Sequence, residues 1–119
     1  MAKPRISDVD GRSAIEAAIK EPSDRQATAT AVRYLLQILE ATVPGKSVEV
    51  RVPPFGAVQC VEGLDHTRGT PPNVVEMDSE TWISLATGEL NWEEAVNSGR
   101  IQASGSRADL SRYLPLAQW

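Results

Sequence analysis

The stretch that decides the fold runs Asp78-Ser-Glu-Thr-Trp-Ile-Ser-Leu-Ala-Thr-Gly88, Glu89-Leu-Asn-Trp-Glu-Glu-Ala-Val-Asn-Ser-Gly99, Arg100-Ile-Gln-Ala-Ser-Gly105 and Ser106-Arg-Ala-Asp-Leu-Ser-Arg-Tyr-Leu-Pro-Leu116. Its glycines divide it into helix, helix, strand and helix pieces. Each is too short to persist alone, because nucleating a helix costs more than one or two turns return. Such pieces need a sheet to pack on, and the middle of the chain is the place to look for it.

Within the block, Asp78 is placed to cap a helix on which Trp82, Leu85 and Ala86 share a face, and Gly88 suits the left-handed position that closes it. Asn91 and Glu94 have capping-box spacing and open a second helix with Trp92, Ala95 and Val96 inward. Ile101 and Ala103 alternate with Gln102 and Ser104 in a short strand. Ser106 with Asp109 predicts a last helical turn through Leu110 and Leu114, stopped by Pro115.

Upstream, Val48, Val50 and Val52 alternate with Ser47, Glu49 and Arg51, a half-buried strand. Pro53-Pro54 and Gly56 predict a turn, Ala57–Glu62 a second strand and Pro72–Met77 a third. Polar residues at alternate positions predict a one-sided sheet, with an antiparallel hairpin around Pro53-Pro54. Before the strands, Ser23 with Gln26 predicts the start of a long helix, on which Val32, Leu35, Leu36 and Leu39 form one stripe and which Pro44-Gly45 ends. A shorter helix from Ser7 carries Ile15, Ala18 and Ile19 on one face, weakened early by Gly11, and residues 1–5 read as a loose arm. Gly63 to Pro72 is rich in glycine and proline, holds the only histidine, His66, and reads as an exposed loop.

A chain of 119 residues is expected to form a single domain over 1–119, with an arm and short helix at 1–22 and the core at 23–116. Hydrophobic residues make up 41%, enough for a core without metal or disulfide support. The net charge of −4 and the lack of a concentrated basic patch exclude nucleic acid as an expected main partner. A single cysteine, Cys60, rules out an intramolecular disulfide and a cysteine-rich zinc site. There is no apolar run long enough to cross a bilayer, and the N-terminus lacks the pattern of a signal peptide, so a cytoplasmic protein without stable membrane insertion is expected.

Signals of catalysis are thin. His66 lies between Asp65 and Thr67 and could serve as a base, but a lone loop histidine is ordinarily just solvated. Cys60 falls within a strand, where a thiol behaves as a small apolar group. No set of metal ligands and no nucleotide motif is present, so neither metal nor cofactor is expected, and the protein is not expected to be an enzyme. Trp82 and Trp92 either pack the core or wall an apolar ligand site. Arg51 and Arg68 are candidate contacts for a ligand carboxylate or phosphate, while Arg100 is expected to pair with Glu93 or Glu94.

The pieces Leu85-Ala86-Thr87-Gly88, Trp92–Val96, Gly99-Arg100-Ile101, Gly105 and Leu114-Pro115-Leu116, preceded by Val74-Val75-Glu76-Met77, resemble the sterol carrier protein type-2 domain. They are most similar to its small stand-alone actinobacterial members. The resemblance implies an α+β fold, a five-stranded mixed sheet with helices packed on one face. It also implies an apolar cavity between the layers that takes a fatty acyl chain, an acyl-CoA or a sterol-like lipid without catalysis. The residues expected to line it are Val50, Trp82, Leu85, Trp92, Val96 and Ile101, with Arg68 at the ligand's polar end. The other reading is an accessory or regulatory domain that docks a protein partner with its cavity collapsed. Oligomeric state stays open, a weak dimer included.

Overall fold

The computed structural model describes residues 5–63 and 73–119. In chain order the elements are α1 (Asp8–Lys20), α2 (Arg25–Thr42), β1 (Val48–Val52), β2 (Gly56–Cys60), β3 (Asn73–Met77), α3 (Ser79–Thr87), α4 (Trp92–Asn97) and β4 (Ile101–Ser104). The strands form one mixed sheet in the order β2-β1-β3-β4. The hairpin around Pro53-Pro54 pairs β1 with β2 antiparallel, opposing Val50 to Val58. β1 and β3 run parallel with Val50 opposite Val75, and β3 and β4 are antiparallel with Met77 opposite Ile101.

The sheet formed by the described residues has four strands, not five. The four are those legible in the residues themselves; the fifth came from the resemblance alone. Past Ser104 the chain turns at Gly105 (φ 104°) and runs on as an irregular tail that buries Leu110 and Leu116 instead of adding a strand. The expected last helix is replaced by turns. Asp109 accepts the Ser111 N–H at 2.8 Å, a contact that holds its carboxyl below the usual range, and so folds the segment locally where a helix cap would have reached further.

Alternation along the strands sorts the sheet. Val48, Val50, Val52, Val75 and Met77 are buried and join the α2 stripe of Val32, Leu35, Leu36 and Leu39 in one core. Burying each such side chain stabilises the fold by about 1.5–3 kcal/mol. Glu49, Arg51 and Glu76, pointing the other way, are half-buried, and Glu49 forms an ion pair with Arg51 along the strand. β2 stops at Cys60, short of the expected Glu62, because Val61 takes a left-handed φ of 64°. Its N–H reaches the Val43 carbonyl at 2.9 Å, and its own carbonyl accepts the Ser47 N–H and hydroxyl. A β-branched residue adopts that conformation only when its surroundings hold it there.

Helix ends follow side-chain chemistry. α2 is capped by Asp24, not Ser23: the Asp24 carboxylate accepts the Ala27 N–H at 3.0 Å, while Ser23 donates to Glu21. Aspartate is as good a cap as serine, and standing one residue later it sets the start. Asp78 and Asn91 cap α3 and α4 as the spacing predicted. α1 packs along α2. Its buried edge is Gly11, Ala14, Ile15 and Ala18, and Ile19 falls off that edge, 55% exposed. Gln37 on α2 brackets Ile6, accepting its N–H and donating to its carbonyl.

Candidate functional site

Trp82 is fully buried on α3, and its indole N–H donates to the Val32 carbonyl of α2 at 3.3 Å. Val50, Leu85 and Ile101 are buried around the same core. These four side chains are brought together in one cluster of buried residues with Leu35, Leu36 and Leu39 of α2. Val96, expected inward, is 45% exposed. The six residues of α4 present Trp92 and Ala95 to the core, and Val96 lies beside that edge with its carbonyl taking the Gly99 N–H. Arg68 and His66 lie outside the described residues.

Two other expectations change. Arg51 stands on the strand face opposite the core and is engaged by Glu49, so it does not reach an inner site. Arg100 pairs with Glu80 at 3.8 Å and donates to the Thr81 hydroxyl at 3.0 Å, both on α3, and not with Glu93 or Glu94. Cys60 is buried, and burial, helped by Glu40, pushes its thiol up to about 11. It is a protonated core group near neutral pH. Among the described residues no group of three or more histidine, cysteine and acidic side chains is placed to hold a metal ion. No helix there is long and apolar enough to cross a membrane.

Two hollows on the surface are lined by described residues. One, of about 380 Å³, is lined by Gly88, Leu90, Asn91, Trp92, Glu93, Ser111, Leu114 and Pro115. Local chemistry builds it. α3 ends at Gly88 in the left-handed conformation, and the Ser84 carbonyl takes the N–H groups of Gly88, Glu89 and Leu90, which brings Leu90 to the rim. Asn91 caps α4 and fixes Trp92 at its first position, 9% exposed along the hollow. The tail forms the opposite wall, held by Leu116 N–H to the Ala86 carbonyl at 3.0 Å. Of the predicted site residues among those described, only Trp92 lines this hollow. Leu90, Leu114 and Pro115 were not expected in a site, although the Leu114-Pro115-Leu116 run stood out in the sequence.

A family model described as bacterial SCP orthologue matches residues 24–116. The chain belongs to this SCP family. The match begins at the Asp24 cap of α2 and ends at Leu116, so it takes in the whole sheet, the three helices from α2 onward and both walls of the Trp92 hollow. Residues 1–23, which carry α1, and residues 117–119 lie outside it. No curated protein matches the chain.

Proposed function

We propose that this SCP-family protein binds an amphiphilic lipid, an acyl chain first among candidates, and releases it without covalent chemistry. The family match over residues 24–116 carries the reading. The lining of the Trp92 hollow supports it as the place where the apolar part of the ligand enters. At about 380 Å³ it falls within the range of small-molecule sites, and it combines an indole, two leucines and a proline with a few polar groups at the rim. The driving force is removal of methylenes from water, about 0.8 kcal/mol each. Even ten fully covered methylenes, before ordering costs, give affinities around the micromolar range. A buried, protonated Cys60 thiol supports a non-catalytic role.

The packed cluster around Trp82 favours a second reading, a docking domain with a collapsed interior. Organic extraction of the purified protein followed by mass spectrometry, together with displacement of a fluorescent fatty acid, distinguishes the two. Co-purified or displaceable lipid supports the carrier. Its absence by both routes favours docking.

A further inference from the structure

The second hollow, of about 430 Å³, lies between α2 and the β1–β2 turn and is lined by Arg25, Gln26, Ala29, Arg33, Pro54 and Phe55. The helical residues fall on one face of α2. Both arginines are set by the same residue. The Arg33 Nε–H donates to the Phe55 carbonyl at 2.8 Å, and the Arg25 guanidinium stands over the Phe55 ring, 5.3 Å from its centre. Neither forms an ion pair among the described residues. The nearest carboxylates in sequence are turned elsewhere, Asp24 to the Ala27 N–H and Glu21 to the Ser23 hydroxyl. In a chain of net charge −4, a hollow lined by two cations and no carboxylate is a local reversal of sign.

We propose that this hollow binds a phosphate monoester, with Arg25 and Arg33 as its oxyanion ligands and Phe55 as the wall for the group next to the phosphate. Guanidinium groups suit this use because their fork matches two oxygens at once. Anchoring Arg33 through Nε leaves its terminal N–H groups free to donate, and holding Arg25 against a ring lowers the ordering cost of binding. Gly56 lets the turn sit close: a β-carbon there would lie 3.3 Å from Leu36 Cδ1. The hollow shares no residue with the Trp92 site, so the two stand or fall separately.

The test is titration of the labelled protein with phenyl phosphate at constant ionic strength, following the arginine Nε–H and Phe55 amide signals by NMR. A flotation arm compares phosphatidylcholine vesicles with and without phosphatidic acid. Saturable shifts at Arg25, Arg33 and Phe55, weakened about tenfold by Arg25→Gln, are expected. Arg25 is exposed and its substitution should leave the melting temperature unchanged; Phe55→Leu serves as a second variant. Binding to phenyl phosphate without vesicle binding identifies a soluble ester, and binding to acidic vesicles identifies a lipid headgroup. No saturable response to phenyl phosphate up to about 10 mM with no acidic-vesicle binding overturns the proposal, as does Arg25→Gln binding with unchanged affinity.

Discussion

Gly11 of α1 lies directly against the face of the Tyr34 ring on α2, so that a β-carbon at Gly11 would fall inside the ring's van der Waals envelope. Replacing a mid-helix glycine by alanine ordinarily stabilises a helix by about 1 kcal/mol. Here the sign reverses. Gly11→Ala is expected to destabilise by about 1–3 kcal/mol through overpacking, read as a lower urea midpoint. Tyr34 cannot retreat easily, because its hydroxyl donates to Asp8 at 2.9 Å.

Asn73 is the polar lock of the sheet. Its amide donates to the Ser47 carbonyl and its carbonyl accepts the Arg107 N–H, both at 2.8 Å, in a nearly fully buried position. Asn73→Leu strands both partners and is expected to cost about 2–4 kcal/mol. The Arg107 amide should also exchange with solvent faster in native-state hydrogen exchange.

The Cys60 thiol gives a pH dependence. Its folded-state pKa is raised from 9.0 to about 11 by burial first and Glu40 second. The folded state therefore holds the proton more tightly than the unfolded one. That contribution is fully present below pH 9, is lost as pH rises through 11, and amounts to no more than about 3 kcal/mol. Cys60→Ala should flatten this part of the stability profile between pH 9 and 11. In the native protein the thiol should resist a disulfide reagent at pH 8 and react once urea unfolds the chain.

At the Trp92 hollow, Leu90→Gln combined with Leu114→Gln removes two apolar walls of the proposed lipid site. Displacement of a fluorescent fatty acid should weaken at least about tenfold. Both side chains are half-buried and pack against the core, so the comparison is made at a temperature where thermal unfolding shows both proteins folded. Unaltered affinity would place the ligand elsewhere.

Gly88 closes α3 at φ 91°, and the nearest atom to an added β-carbon there is Pro115 Cβ at 3.6 Å. Space is therefore adequate and backbone conformation decides. Gly88→Ala should cost about 1 kcal/mol, and Gly88→Asn less, by thermal unfolding.

The last case shows what a sequence discloses well. Gly88, Asp78 and Asn91 act within a few residues of themselves, so their roles are readable from spacing, as are the valine alternation of β1 and the leucine stripe of α2. Gly11 reads as a helix weakness because its reason, the Tyr34 ring, is distant in sequence and only folding brings it near. The same holds for Asn73, whose partners come from before β1 and after β4. Trp82 and Trp92 look equivalent in the sequence, yet one is locked under α2 and the other opens onto the surface. The Arg25–Phe55–Arg33 cluster depends on a hairpin turn meeting a helix, which no local pattern announces.

The placement of α1 has a practical consequence. The family match starts at Asp24, and a shortened protein cut there would strip the cover from Tyr34 and the Ile15 side of the core. It would also lose the Arg12 Nε–H bond to the Trp119 backbone oxygen, 2.7 Å long, which ties α1 to the tail after β4. Such a fragment would present a fresh greasy flank to its neighbours, and self-association seen with it would describe the cut and not the native molecule.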